Sequence, residues 1–227
     1  MSNVFSIAID GPAGAGKSTM AKALAKALGA MYLDTGAMYR AFGLFMLRKG
    51  AVNDADAVAR CVEDVDIAVR FVDGAQRLYL TGEDVTDAIR EPEVSMAAST
   101  VSAVPQVRER MVALQRKIAE GQNVVMDGRD IGTKVLPNAT LKIYLTASAE
   151  ERARRRCREL EEKGKPEPYE QVLRDMVQRD YQDTHRAASP LRPAEDAVHV
   201  DTSDLTVEES VALMKKLADE AIQRSQK

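Results

Sequence analysis

The feature that most restricts the fold of this chain is a glycine-rich segment, residues 11–18, with the sequence Gly-Pro-Ala-Gly-Ala-Gly-Lys-Ser. It fits the pattern G-x-x-x-x-G-K-S/T. A short apolar run at residues 4–9 predicts a buried parallel strand before it, and apolar residues at helical spacing follow it as far as Gly29. In this context the glycines let backbone N–H groups surround phosphates, and the helix N-terminus adds positive potential. The segment therefore predicts a site for a magnesium–nucleoside triphosphate, and the elements on both sides disfavour an accidental glycine-rich turn.

Three side chains of this predicted site have separate roles. Lys17 is expected to reach the β- and γ-phosphate oxygens, and the Ser18 hydroxyl can bind Mg²⁺. Asp127 follows an apolar run, at the position where P-loop enzymes place a carboxylate that holds Mg²⁺ or its waters. The residues predicted to bind ATP are Gly11, Pro12, Ala13, Gly14, Ala15, Gly16, Lys17, Ser18 and Thr19.

The composition of this 227-residue chain, with its net charge of -3, limits the kinds of partner that it is expected to bind. A protein that binds a nucleic-acid backbone is usually basic, so we expect no nucleic-acid partner. No apolar run reaches the roughly 20 residues that span a bilayer, and the N-terminus lacks the basic start and apolar core of a signal peptide. The two cysteines have no metal or redox spacing. We therefore expect a cytoplasmic protein that does not bind a membrane. Separately, we expect it to be a monomer.

Strands and helices alternate along most of the chain, which predicts an α/β fold. In such a fold a P-loop NTPase-type parallel sheet is flanked by helices, with ligands at the carboxyl ends of the strands. Residues 65–85 differ, because apolar residues alternate there on both sides of a turn at Asp73 and Gly74, which predicts a small antiparallel sheet on the acceptor side. The predicted bounds are residues 1–62 and 97–227 for the core, about 152–168 for a helical lid within it, and 63–96 for the inserted subdomain.

Two further segments bring polar residues to the expected ligand edge. Thr35 and Gly36 begin a predicted helix with Arg40 one turn later, and such a helix start suits a second phosphate. Taken alone, Arg40 is better explained as a surface arginine. Residues 127–130, Asp-Gly-Arg-Asp, follow a buried strand. Core packing does not explain these charged residues well, because buried charges are unfavourable unless they are paired. A functional site is therefore favoured over the alternative, a solvated turn with salt bridges.

Arginines crowd a later predicted helix, where Ser148 and Glu151 predict a capping box at the start. These arginines are Arg152, Arg154, Arg155, Arg156 and Arg158. They could form a solvated face paired with glutamates, or a lid that neutralises charge on a transferred group and excludes water. With the glycine-rich loop upstream, we favour the lid. Arg179, Asp183 and Arg186 share one stripe of the next helix, and their spacing alone favours an internal salt-bridged stripe.

Together these segments resemble the bacterial cytidylate kinase family of nucleoside monophosphate kinases. The resemblance covers nearly the whole chain, and the set is much more specific than the glycine-rich loop alone. The inserted sheet resembles the enlarged monophosphate-binding domain of that family. Ser18 stands where some members have glycine, and Thr35 where some have serine. The matching segments are residues 10–17, 33–40, 127–133, 179–180 and 186–191.

The resemblance implies that ATP phosphorylates CMP or dCMP to CDP or dCDP with Mg²⁺, in pyrimidine nucleotide metabolism. The residues implied to act in catalysis are Lys17, Arg129, Arg155 and Arg156. The residues implied to bind CMP are Arg40 and Arg129 for the phosphate, Ser99, Arg108 and Asp130 for the cytosine, and Arg179 and Asp183 for the sugar, with Arg186 beside them and Thr35 at the helix start. A monophosphate dianion needs no general base, so such an enzyme mainly brings two anions together, which agrees with the many arginines.

Three other functions match parts of the pattern. A P-loop kinase for a small metabolite such as shikimate or gluconate would typically be shorter and would not need the inserted sheet. A kinase for UMP or AMP is a closer alternative, and an assay with a panel of acceptor nucleotides would distinguish it from a cytidylate kinase. A nucleotide-driven switch or partner-binding ATPase would leave the arginine-rich acceptor residues unexplained. We rank all three below a cytidylate kinase.

Overall fold

The computed structural model describes residues 4–72, 74–162 and 164–226. In chain order the elements are β1 (Ser6–Asp10), α1 (Lys17–Leu28), β2 (Met31–Asp34), α2 (Thr35–Arg48), α3 (Ala55–Arg60), β3 (Ile67–Val72), β4 (Ala75–Leu80), β5 (Glu83–Asp84), α4 (Pro92–Val101), α5 (Pro105–Ala119), β6 (Val124–Gly128), β7 (Leu141–Thr146), α6 (Ala149–Glu162), α7 (Tyr169–His185), β8 (Val198–Asp201) and α8 (Val207–Ser225). Their contacts divide the chain into two compact units. The first unit contains the residues up to Ala30 and from Gln122 onward, and the second unit is Met31–Gly121.

The first unit is built on parallel strands, as predicted. β6, β1, β7 and β8 are consecutive neighbours, and Ile7 of β1 pairs with Val125 on one side and with Leu141 on the other. Ile7, Ala8 and Ile9 are fully buried, which explains why this strand is apolar without alternation. Burial of each isoleucine contributes about 1.5–3 kcal/mol. Because the strands are parallel, the segments after β1, β6 and β7 leave the sheet at the same edge.

The helix termini of the first unit follow the sequence signals in most places. Thr206 and Glu209 form a capping box at the start of α8, each bonding the backbone N–H of the other. The capping box predicted for α6 is only half correct. Glu151 donates its N–H to Ser148 Oγ at 3.2 Å, but the N–H of Ser148 donates to Ser203 Oγ at 3.0 Å instead of to the Glu151 carboxylate. The Glu151 carboxylate binds arginines of its own helix.

Helices α6 and α7 pack together through a small apolar cluster of their own. Its buried members are Ala153, Leu160, Val172 and Met176. The predicted lid lies on α6 and on the segment that joins it to α7. Lys163, in that predicted lid, and Asp73, in the predicted turn, lie outside the described residues.

The second unit combines helices with the predicted antiparallel sheet. β3 pairs with β4 and β4 with β5, and Leu78 and Leu80 of β4 are buried while alternate residues are more exposed. Helices α2 and α4 approach closely at Gly43, where an added Cβ would lie 2.8 Å from the backbone nitrogen of Ala98. The predicted insert of residues 63–96 lies within this unit. Over the residues described, no helix has both the length and the apolar character needed to cross a bilayer.

Candidate functional site

The glycine-rich loop adopts a backbone path that requires glycine at two positions. Gly11 has a φ of 152°, and an added Cβ would lie 1.9 Å from the carbonyl oxygen of Leu145 in β7. Gly16, with a φ of 85°, is the N-cap of α1. Residues with a side chain rarely adopt either conformation. Since glycine has no side chain to cap the helix, the first N–H groups of α1 suit a bound anion.

Lys17, the first residue of α1, is buried beside this loop. Only 6% of the residue is exposed, and Nζ donates a 2.6 Å hydrogen bond across the loop to the carbonyl oxygen of Pro12. Burial lowers the pKa of Lys17 well below its ordinary value of 10.5, and Arg129 lowers it further, whereas Asp127 acts in the opposite direction. A phosphate at this position would stabilise the ammonium form. The local electrostatics therefore favour an anion.

Ser18 and Asp127 form an oxygen pair next to Lys17. Ser18 Oγ donates to Asp127 Oδ2 at 2.9 Å, and Asp127 is 5% exposed at the end of β6. Hydroxyl and carboxylate oxygens suit Mg²⁺, which usually keeps several waters and binds phosphate oxygens. The described part of the chain contains no group of three or more His, Cys, Asp or Glu side chains that could hold a metal. Oxygens of this kind can hold Mg²⁺ jointly with the phosphates of a bound triphosphate.

Asp10, at the end of β1, fixes the segment that follows β6. Its Oδ1 accepts the N–H of Ile131 at 2.8 Å, and its Oδ2 accepts the N–H of Gly132 at 2.7 Å. Burial raises the pKa of Asp10 from 3.8 to about 6, although the two N–H donors oppose this, and the buried Asp130 adds to the rise. The sequence prediction missed this role. Asp10 ties the beginning of the glycine-rich loop to the residues next to Arg129 and Asp130.

Arg129, which directly follows β6, belongs to a cluster of charged residues with Asp183 of α7 and Arg186 at the C-terminal cap of that helix. Its Nε donates to Asp183 Oδ2 at 2.8 Å, and Arg186 Nη1 donates to Asp183 Oδ1 at 3.5 Å. Burial raises the pKa of the Asp183 carboxyl, but Arg129, Arg186 and Arg179 outweigh it and hold that pKa below 3.8. The charges of Arg129, Arg179 and Asp183 also act on Lys17. The structure thus gathers Arg129, Arg179 and Asp183 near Lys17 of the glycine-rich loop. Asp183 bonds Arg129 as well as Arg186, which lies just beyond the end of α7 and not on the helical stripe that the spacing predicted.

The arginines of α6 other than Arg152 fall into three groups. Within the described residues, the side chains of Arg154 and Arg158 are 61% and 66% exposed and pair with Glu151, as expected of a solvated face. Arg155 donates to the carbonyl oxygen of Thr202 at 2.7 Å. Arg156 is 39% exposed and pairs with a glutamate one turn later, at 2.9 Å.

Arg152 is different, because it is buried and binds the glycine-rich loop. Its Nη1 donates to the carbonyl oxygen of Ala13 at 2.9 Å, its Nε to that of Ala147 at 2.9 Å, and its Nη2 to Asp180 Oδ2 at 2.6 Å. Sequence reasoning placed Arg152 in the lid without distinguishing it from its neighbours. The structure shows it as the link between α6, α7 and the loop.

In the second unit, Asp34 organises the N-terminus of α2. Its Oδ1 accepts the N–H of Ala37 at 2.9 Å, and its Oδ2 accepts both Arg40 Nη2 at 2.9 Å and Arg90 Nη1 at 3.1 Å. Burial raises the pKa of Asp34, but Arg40 and Arg90 outweigh it and lower the pKa below 3.8. A side chain at Gly36 would place its Cβ 3.3 Å from Arg40 Nη1. Arg40 is therefore held by a buried carboxylate and is not a free surface arginine.

The other predicted acceptor residues of this unit lie on α2, α4 and α5. Thr35 is the buried first residue of α2. Ser99 on α4 is partly buried, and its hydroxyl donates to Ser95 at 3.5 Å. Arg108 on α5 is 4% exposed, its guanidinium carbon lies 5.4 Å from the centre of the Tyr39 ring, and Nη1 donates to the carbonyl oxygen of Ser102 at 3.2 Å. A buried arginine next to an aromatic ring is a feature of ligand sites as well as of packing.

Comparison with known proteins extends the similarity across both units. The family model described as cytidylate kinase matches residues 7–220. The cytidylate kinase of Caldanaerobacter subterraneus subsp. tengcongensis is 55% identical over 206 residues, covering 90% of this chain and 90% of that protein. Those of Desulfitobacterium hafniense and Mycolicibacterium paratuberculosis are 51% and 50% identical, over 98% and 100% of this chain and 96% and 99% of their own lengths. The matched range contains every site residue described above.

Proposed function

Because this chain belongs to the cytidylate kinase family, we propose that it transfers the γ-phosphoryl group of ATP to CMP or dCMP, giving ADP and CDP or dCDP. One observation supports this most strongly. The buried Lys17 of a complete glycine-rich loop lies within the electrostatic reach of Arg129, Arg179 and Asp183. A triphosphate site beside a second cationic cluster is what phosphoryl transfer between two anions requires.

In this mechanism the donor phosphates lie in the loop. Lys17 and the first N–H groups of α1 bind the β- and γ-phosphates, and Lys17 stabilises charge as it develops in the transition state. Mg²⁺, held by Ser18 and through water by Asp127, would neutralise charge on the transferring phosphate. Arg129 holds the acceptor phosphate in line with the donor. No general base is required, because the acceptor phosphate is already a dianion.

The lid arginines act when the site closes. Among the described residues, the partly exposed Arg156 pairs with Glu159 of its own helix. Such a pair contributes about 0–1 kcal/mol, so Arg156 can exchange its partner for a phosphate at little loss. Arg155 must first leave the carbonyl oxygen of Thr202, which makes its recruitment less favourable. We assign both to transition-state stabilisation and exclusion of water, with Arg156 the stronger candidate.

The base and the sugar are assigned to the residues that the family resemblance implies. Cytosine presents an amino donor at position 4 and acceptors at N3 and O2. We assign the amino group to the carboxylate of Asp130 and the acceptors to Arg108 and Ser99. Uracil has an acceptor at position 4 and a donor at N3 instead, so the contact with Asp130 would be repulsive and Arg108 would lose its N3 acceptor. Arg179 and Asp183 are assigned to the sugar.

We also propose that the enzyme acts as a monomer in the cytoplasm. The two free thiols, Cys61 and Cys157, agree with a reducing compartment. The parallel sheet with its lid at about 152–168 would serve as the donor-binding core, and residues 63–96 as the monophosphate-binding subdomain.

A coupled assay of ADP release tests the proposal. ATP and Mg²⁺ are supplied with CMP, dCMP, UMP, AMP, shikimate or gluconate in turn, and once with no acceptor. We expect turnover with CMP and dCMP to exceed that with the other acceptors by a hundredfold or more, since two mismatched polar contacts reach this discrimination. Rapid ADP release without an acceptor would support a nucleotide-driven switch, and preferential use of UMP or AMP would contradict the choice of base.

A further inference from the structure

Two arginines in the second unit share one carboxylate oxygen. Arg40 Nη2 and Arg90 Nη1 donate to the same Oδ2 of Asp34, at 2.9 and 3.1 Å. Their guanidinium groups are therefore neighbours. Asp34 carries one negative charge between two positive ones, so the group has an excess positive charge.

The backbone holds this group in place. The N–H of Asp34 donates to Gln76 Oε1 at 2.7 Å, and Gln76 Nε2 donates back to the carbonyl oxygen of Asp34 at 3.2 Å. Arg90 ends a short 3-10 turn, Ala88–Arg90, in which Ile89 is fully buried. These contacts fix the position of the Asp34 carboxylate and of the backbone that carries the Arg90 side chain.

The Asp34 carboxylate has hydrogen-bond partners other than Arg90 that hold it in place. Its Oδ1 caps α2 through the N–H of Ala37, and its Oδ2 already pairs with Arg40. The side chain of Arg90 is 51% exposed, whereas that of Arg40 is only 18% exposed. An exposed arginine beside a carboxylate that is already paired adds little stability.

The group also holds more donors than its one carboxylate can use. Among the described residues, Arg90 makes its single side-chain hydrogen bond to Asp34, and Arg40 Nε is buried without a partner. A phosphate monoester offers three acceptor oxygens and close to two negative charges, and guanidinium forks match it well. A buried donor without an acceptor is unfavourable until such a ligand arrives.

We propose that Arg90 is a substrate-binding residue, which binds the phosphate of the acceptor nucleotide together with Arg40 while Asp34 sets the spacing of the two guanidiniums. This inference rests on the proposed function, because it assigns a residue to its acceptor phosphate. The sequence reading gave that phosphate to Arg40 and Arg129 and assigned Arg90 no role.

Steady-state kinetics of Arg90→Ala test the assignment, with Arg90→Lys as the conservative variant. Arg48→Ala is the matched control, since Arg48 lies in the same unit, is 45% exposed and pairs with a carboxylate, Glu83. We expect Arg90→Ala to raise KM for CMP about ten- to a hundredfold, the loss typical of a charge-assisted contact, with KM for ATP within about twofold of wild type. The change in KM should exceed the change in kcat, and Arg90→Lys should recover part of the affinity. Arg48→Ala should leave all of these values unchanged.

Cytidine, which lacks the phosphate, separates a phosphate contact from a general effect on the acceptor pocket. Its inhibition constant against CMP should be the same for Arg90→Ala and wild type. An Arg90→Ala enzyme whose KM for CMP rises less than about threefold would overturn the assignment. So would an equal loss for cytidine and CMP, or a lower melting temperature that Arg90→Lys restores without restoring KM. A wild-type enzyme inactive on CMP would instead refute the proposed function, and the assignment would fall with it.

Discussion

Replacement of Arg152 by alanine tests whether the glycine-rich loop depends on a buried ion pair for its position. The side chain of Arg152 is 6% exposed, and it bonds the carbonyl oxygens of Ala13 and Ala147 as well as Asp180. Alanine removes all three contacts. Asp180 then loses its ion pair with Arg152, while Oδ1 of the same carboxylate is already buried without a hydrogen bond in the described structure.

The expected loss of stability follows from these contacts. Removing one member of a buried ion pair costs about 3–5 kcal/mol, since the remaining charge is uncompensated. The side chain of Asp180 is 22% exposed, so water can reach it and the lower end, about 3 kcal/mol, is expected. For a protein of this length about 2–4 °C is lost per kcal/mol, which predicts a melting temperature about 6–12 °C below wild type. KM for ATP should rise as well, because the carbonyl group of Ala13 is no longer held.

Urea unfolding and thermal melting followed by circular dichroism measure the first effect, and initial rates at varied ATP measure the second. Arg158→Ala is the control, because Arg158 lies on the same helix at 66% exposure and should change stability by no more than about 0.5 kcal/mol. A double-mutant cycle with Asp180→Ala should give a coupling energy of at least about 1 kcal/mol. If Arg152→Ala unfolds within 1 kcal/mol of wild type, the ion pair does not hold the loop and the reasoning fails.

Three further predictions concern the donor site, the choice of base and the effect of pH. Lys17→Ala should remove most turnover while CMP binding stays near that of wild type. Lys26→Ala, an exposed position on the same helix, is the control. A kcat near that of wild type for Lys17→Ala at saturating ATP would contradict the assigned role. Asp130→Ala and Arg108→Ala should each lower kcat/KM for CMP far more than for UMP, and an equal fall for both nucleotides would show that another group selects the base. Asp10 has a folded pKa of about 6, above the 3.8 of the unfolded chain, so its contribution to stability is lost as pH rises between these values. The free energy of unfolding of Asp10→Asn, measured with urea, should therefore rise relative to that of wild type by up to about 3 kcal/mol between pH 4 and pH 7. If the difference between the two free energies is the same at every pH, this effect is excluded.

Local sequence signals predicted the elements that depend on neighbouring residues. The glycine-rich loop and the β3–β4 sheet each depend on residues close together in sequence, and the structure confirms both. The family resemblance is confirmed by relatives that match the chain almost end to end. The role of each assigned site residue stays a prediction, although the structure brings Lys17, Arg129 and Asp183 together as such roles require.

The residues that sequence reasoning missed have partners far away in the chain. Asp10 bonds the backbone of Ile131, and Arg152 bonds the carbonyl group of Ala13, so neither contact has a local spacing pattern. The same cause explains the half-formed capping box of α6, where the N–H of Ser148 bonds Ser203. A local signal did exist at Asp34, because an aspartate before a helix start is a preferred N-cap.

The discontinuous first unit has a consequence for the order in which the chain can fold. The backbone N–H of Phe5, just before β1, bonds Asn123, which lies 118 residues later and just before β6. The strand pairs of β1 therefore cannot form on the ribosome until the intervening residues have been synthesised, and closing so long a loop carries a large entropic penalty. The second unit is continuous, so all of its contacts become available earlier. Early folding of Met31–Gly121 would shorten the effective loop and let β1 pair with β6 as soon as β6 emerges, which reduces the time that the apolar β1 is exposed to aggregation.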